Sequence, residues 1–280
     1  MKSTVIRFLA TVIAVVSLMG GMAGCGTSTR LRVATTTSLY DTGLWDYLEP
    51  MFEEQYNTEL DIMYAGTGKA LEYGRRGDVD VLIVHAKARE LQFIAKGYGA
   101  RRVPFAYNYF LIVGPEDDPA GIKGMSPEAS FIKLMETESG SFVSRGDDSG
   151  THSKEKAMWQ AAGFDYEAVR AAGNWYIESG AGMGPTLLLA SEKRSYTLSD
   201  LGTFLAYRDK LNLVSMVDKG DILLNVYSAI VVNYPETKID IANNLISFLT
   251  SPEIQKLIGT YGAREYGRQL FIPWAGAEIK

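Results

Sequence analysis

One cysteine and two histidines in a chain of 280 residues leave little material for metal or redox chemistry. A lone Cys25 can form neither an intrachain disulfide nor a cysteine-rich zinc or iron–sulfur site, and His85 with His152 are too few for a histidine-built metal centre. An excess of basic residues is also missing. Lys and Arg number 28 against 33 Asp and Glu, a net charge of −5, so no broad positive field exists to hold nucleic acid. Beyond the N-terminal segment no run is long and apolar enough to cross a bilayer. Internal repeats and low-complexity tracts are absent as well. What is present is ordinary: 46% hydrophobic, 11% aromatic and 22% charged residues, enough for one large or two medium globular domains.

The N-terminal segment has its own pattern. Lys2 and Arg7 precede an almost wholly apolar stretch from Phe8 to Met19, and small residues from Gly20 to Gly24 lead into Cys25. A basic start, a short apolar core and a small-residue cleavage site describe a secretory signal over residues 1–24, too short to span a membrane. Met22-Ala23-Gly24-Cys25 resembles a lipobox, so Cys25 is expected to be acylated and residues 25–30 to act as a tether. An ordinary signal with an incidental cysteine is the alternative. Cleavage removes Lys2 and Arg7, leaving 26 basic against 33 acidic residues and a net charge of −7. The mature chain is therefore expected outside the cytoplasm, held at a membrane by lipid.

The rest alternates between strand and helix signals. Leu31–Thr36 reads as a strand, Leu44, Trp45, Leu48, Met51 and Phe52 as one apolar helix face, and Leu60–Tyr64 as a second strand. Val79–Val84 is a short apolar run suited to a buried parallel strand. This order predicts an α/β fold. Tyr107–Pro115 and Val226–Pro235 are two similar long strands, with another α/β segment between them. Two lobes joined by two strands follow, the first lobe from 31–105 and 237–280, the second from 106–236.

Four strands end in small, hydroxyl-rich turns that feed helices: Thr35–Ser38, Gly66–Lys69, Ser144–Thr151 and Ser179–Pro185. A helix start has unpaired N–H groups and a partial positive charge, and glycine lets a ligand approach closely, which together favour an anion. Plain helix capping explains any one such turn equally well. Arg145 is the cation inside the third turn; its planar fork suits two oxygens of an oxyanion, unless it is spent on Asp147 or Asp148. Gly66–Lys69 lacks the glycine-bracketed length of a nucleotide phosphate loop. Ser149 beside His152 leaves a Ser-dependent hydrolase as an alternative, although the glycine spacing of a nucleophile elbow is not met. His85 reads as a packed, hydrogen-bonded histidine.

Thr35-Thr36-Thr37-Ser38 and Ser144-Arg145-Gly146-Asp147-Asp148-Ser149-Gly150-Thr151 are similar to the tungstate-binding lipoproteins of ABC importers, the TupA type. The resemblance runs from Leu31 to Pro273 and includes Gly66–Leu71, Tyr107-Asn108, Val113–Pro115 and Tyr196–Asp200. It implies a two-lobed periplasmic-binding-protein fold (type II), each lobe a mostly parallel sheet flanked by helices, with a two-strand hinge. It also implies a tetrahedral dianion held between the lobes with no metal ion or cofactor. The corresponding ligand-binding positions are Thr36, Thr37, Ser38, Thr67 and Gly68 from one lobe and Arg145, Ser149, Gly150 and Thr151 from the other. Ala86 after His85 and Leu201 after Asp200 depart from the pattern expected of relatives. The implied role is a monomeric, non-enzymatic carrier that hands tungstate to a membrane permease. Molybdate or phosphate are the alternative ligands, since donors alone do not separate tungstate from molybdate.

Overall fold

The computed structural model describes residues 29–138 and 140–274. The signal peptide, Cys25 and the start of the tether lie outside the described residues, as do residues 275–280 of the first lobe. Thr29 and Arg30, assigned to the tether from sequence, instead begin the first strand.

That strand, β1 (Thr29–Thr36), is followed by α1 (Thr37–Tyr40) and α2 (Leu44–Tyr56), then β2 (Thr58–Ala65), α3 (Thr67–Arg76), β3 (Val81–Val84) and α4 (Lys87–Ala95). The apolar face of α2 buries Leu44, Trp45, Leu48 and Phe52, and the helix stops at Asn57, which adopts a left-handed conformation. β1 lies between β2 and β3, parallel to both, and all four residues of β3 are buried. A strand covered on both faces needs no alternation, so Val81–Val84 reads as a continuous apolar run.

β4 (Gly99–Gly114) then leaves this lobe for the second. The second lobe contains α5 (Pro127–Thr137), β5 (Phe142–Ser144), α6 (Gly150–Ala161), α7 (Tyr166–Arg170), β6 (Tyr176–Glu178), α8 (Met183–Glu192), β7 (Thr197–Asp200), α9 (Leu201–Tyr207) and β8 (Val214–Val217). Its core is aromatic: Phe131, Phe142, Trp159, Trp175 and Tyr176 pack together beneath β5 and α6. β9 (Leu224–Val232) returns to the first lobe, where α10 (Ile239–Leu249), α11 (Pro252–Thr260) and β10 (Ile272–Pro273) pack. Gln255 fastens α11 there by donating to the carbonyls of Phe105 and Leu249.

The path β10-β4-β9-β3-β1-β2 is one continuous sheet, and β4 continues past it to pair with β7 and β8. Among the named strands parallel pairing joins β1 to β2 and β3, and β5 to β6, with one isolated parallel bridge from Phe142 to Tyr196; the connecting strands and those laid on them are antiparallel. The crossing points also differ from the sequence division at 106 and 236. Ala106 and Tyr107 still pair with β10, and β4 changes lobes only near Phe110, whose partner is Asp200. On the return, Ser228–Val231 already pair with β3 and so belong to the first lobe. Sequence marks where a strand ends, at Pro115 or Pro235, whereas a lobe boundary falls where its neighbour changes. No helix among the described residues is long and apolar enough to cross a membrane.

Candidate functional site

Three of the four hydroxyl-rich turns converge. Thr36 caps α1, its Oγ1 accepting the Leu39 amide at 3.4 Å; Ser149 caps α6, its Oγ accepting the His152 amide at 3.2 Å. Gly66 precedes α3 with Thr67 in its first turn. Capping and ligand binding are compatible here, because a capping hydroxyl spends a lone pair and keeps its O–H to donate. Thr36, Ser38, Thr67, Arg145, Ser149 and Thr151 are all at least 95% buried. Thr67 Oγ1 and Thr151 Oγ1, one from each lobe, are buried without any hydrogen-bond partner.

A small, partly open cavity of about 10 Å³ lies between the lobes. Thr36, Thr37, Ser38, Ala65, Gly66, Thr67 and His85 line it from the first lobe, and Arg145, Ser149 and Gly150 from the second. Seven of the nine sequence-derived positions therefore meet around one space. Thr151 stands behind this wall. Gly68 faces elsewhere: a Cβ there would come within 3 Å of Arg89 and Asp148. A Cβ on Gly150 would lie 3.0 Å from both His85 Cε1 and Thr67 Oγ1, so the lobes are closed on each other at this point.

Arg145 is both a lining residue and the partner of one of the two neighbouring carboxylates. It lines the cavity, and its Nη2 also donates to Asp147 Oδ2 at 2.5 Å while Nε reaches the Ala181 carbonyl at 3.4 Å. The other Asp147 oxygen accepts the Ser149 amide. Burial raises the Asp41 and Asp200 carboxyls above their usual range, with Arg145 opposing the rise in each. Asp148, whose φ of +55° places it in the left-handed region, pairs with the opposite lobe. Arg89 of α4 donates to its carbonyl at 3.0 Å and to Oδ2 at 3.2 Å. This latch is solvent-exposed, so Arg89→Ala is expected to raise the dissociation rate of a bound guest by about fivefold or less; stopped-flow release measures it.

His85 is the wall residue whose role sequence reading missed. It is packed and hydrogen-bonded, as expected, yet it lines the cavity. Asn225 donates through Nδ2 to Asn108 Oδ1 and Tyr227 Oη, so its Oδ1 accepts His85 Nδ1–H at 2.8 Å. His85 Nε2 is then an acceptor for the Ser38 hydroxyl at 3.2 Å. Burial holds this imidazole neutral by pushing it down to about 4, against the Asn225 bond and with help from Arg145 and Lys154. Ser38 thus donates its hydroxyl hydrogen bond to His85 Nε2 and offers a guest its first-turn amide. The available signal was position: His85 follows the central strand β3 at its carboxyl end, where ligands of open α/β sheets bind.

His152 is not placed to activate Ser149. His152 accepts the Asp148 amide through Nδ1, and its Nε2 meets Tyr166 Oη at 2.6 Å, so neither nitrogen serves Ser149 Oγ. Among the described residues no cluster of His, Cys, Asp or Glu could hold a metal ion. The arrangement suits a small, compact anion met by hydroxyls, helix-start amides and one guanidinium.

Comparison with known proteins agrees with this chemistry. The family described as PBP superfamily domain matches residues 24–253. A curated tungstate-binding protein TupA of Peptoclostridium acidaminophilum is 38% identical, over 95% of this chain and 98% of its own. The solved structure of the tungstate-binding protein TupA from Desulfovibrio alaskensis G20 is 41% identical with a TM-score of 0.76, covering 88% of this chain and 99% of that one. The crystal structure described as the tungstate ABC transporter from Geobacter sulfurreducens is 45% identical with a TM-score of 0.73, covering 83% and 98%.

Proposed function

The chain belongs to the PBP superfamily, in its tungstate-binding TupA type, and from that premise we propose that it captures tungstate between its lobes and delivers it to the permease of an ABC importer. One observation carries the reading: Thr67 Oγ1, in the cavity wall at a helix start, is buried without a partner, and Thr151 Oγ1 of the opposite lobe is likewise buried and unpartnered, next in the chain to Gly150 of the wall. Leaving a buried polar group unpaired costs about 1–3 kcal/mol, so the Thr67 hydroxyl has a reason to meet a guest oxygen.

The same groups favour a fully deprotonated oxyanion. A protonated phosphate brings an O–H that needs an acceptor. Asp147 already accepts from Arg145 and from the Ser149 amide, and Asp148 is turned toward Arg89. Neither is spare. Domain closure assembles donors from both lobes around the dianion and removes its water, without any metal ion or cofactor. We place the protein outside the cytoplasm as a monomeric carrier rather than an enzyme, tethered through an acylated Cys25 after removal of residues 1–24.

Isothermal titration of the protein with tungstate, molybdate, sulfate and phosphate tests the reading. Tight binding of tungstate with phosphate rejected is the expected result, and the absence of heat with every anion overturns it. Molybdate binding as tightly as tungstate would restrict the selectivity to metal oxyanions. Thr67→Val, which removes a hydroxyl at nearly constant volume, should weaken tungstate binding by about 1–3 kcal/mol in the same titration.

A further inference from the structure

Lys154 stands one turn into α6, beyond the capping Ser149. Its Nζ donates to the carbonyls of Ile222 at 2.9 Å and Leu224 at 3.1 Å, where the chain enters β9, and lies 5.7 Å from the centre of the Phe110 ring. Among the described residues no carboxylate approaches it within 4.0 Å. Arg145 differs in this respect, because Asp147 already neutralises its charge.

A dianion entering the cleft of a chain with net charge −5 needs more than a guanidinium cancelled by a carboxylate. Lys154 is placed to supply it. It lines a larger cavity between the lobes that shares His85 and Gly150 with the smaller one. We propose that Lys154, without touching the anion, supplies the uncompensated positive charge that sets affinity for a dianion and preference over a monoanion. The proposal rests on the oxyanion-binding reading above. A charge acting through space across a low-dielectric wall attracts in proportion to the charge of the guest, which gives the preference.

Proton linkage follows. Burial pushes the Lys154 ammonium down to about 8. A neighbouring dianion stabilises the ammonium and raises that value. Above pH 8 the free protein has therefore shed a proton that the complex regains, and affinity falls as pH rises. The charged or titratable groups facing Lys154 across the cavity are His85, Lys87, Arg89, Arg102 and Asp221, with Arg145 beyond the wall; variants at 154 isolate its own share.

Titration of sodium tungstate into the full chain at pH 7 and 9.5, in buffers of different ionisation enthalpy, decides the matter. Wild type should lose about tenfold in affinity over that range and take up a fraction of a proton, about half of one when the titration is repeated midway near pH 8.5. Lys154→Met should bind about tenfold more weakly at pH 7 and show no proton uptake. Lys154→Arg should bind tightly at both pH values. Weakening in the methionine variant alone would also follow from the freed Ile222 and Leu224 carbonyls, which is why the arginine variant and the proton count are needed. Wild-type affinity in Lys154→Met, or an unchanged pH dependence in Lys154→Arg, overturns the role of Lys154 and leaves tungstate binding standing. A wild type that gives no heat with tungstate at pH 7 overturns both.

Discussion

Arg145→Ala is expected to weaken tungstate binding by about 2–5 kcal/mol, the range found when one member of a desolvated charge pair is truncated. Two effects add in the same direction. The guest loses a guanidinium that lines its cavity, and Asp147 loses the partner that neutralises it at 2.5 Å. An unpaired carboxylate then stands beside a dianion. This second effect makes the prediction specific, because Arg145→Ala combined with Asp147→Asn should recover part of the loss, whereas independent sites would simply add. The Asp147 change also affects the turn, since its Oδ1 accepts the Ser149 amide; asparagine retains an acceptor there. Isothermal titration of the two single variants and the double variant completes the cycle. Binding by Arg145→Ala within threefold of wild type would remove Arg145 from the site.

Gly150→Val should abolish tight binding by a different route, with a loss of at least about 100-fold, because donors from one lobe can no longer reach a guest held by the other. Even a bare Cβ would sit 3.0 Å from His85 Cε1 and Thr67 Oγ1 across the cleft, and valine adds two methyl groups. His85 cannot swing aside without breaking its bond to Asn225, and Thr67 is fixed in the first turn of α3. The lobes themselves should fold normally. Gly150 does not adopt a positive φ, so a side chain there strains no backbone, and the clash is with the opposite lobe. Unchanged thermal unfolding of the free protein with lost ligand-induced stabilisation is the expected signature. Wild-type affinity in Gly150→Val would mean that this closed arrangement is not the binding one.

Much of this molecule was legible in its sequence because local physics writes local patterns. The apolar spacing from Leu44 to Phe52 depends only on helix period, and Val81–Val84 only on double-sided burial. Thr36, Thr67 and Ser149 could be singled out because helix starts need hydroxyls or glycine within three residues. These signals placed three turns at strand ends and proposed that they share a guest.

What the turns face was decided by tertiary structure. Arg145 had two carboxylates within reach along the chain; folding gave it Asp147 and turned Asp148 to Arg89, 59 residues away. His85 became part of the cavity wall through Ser38 and Asn225, at separations of 47 and 140 residues. The crossing points of β4 and β9 moved from the expected boundaries because a strand's partner is chosen by the sheet around it. Lys154 is a surface-type residue by composition, and only the packing of α6 against the start of β9 leaves its charge without a carboxylate. Periodicity and capping act over a few residues, while charge pairing and closure act across a cleft whose two sides meet only after the chain has folded.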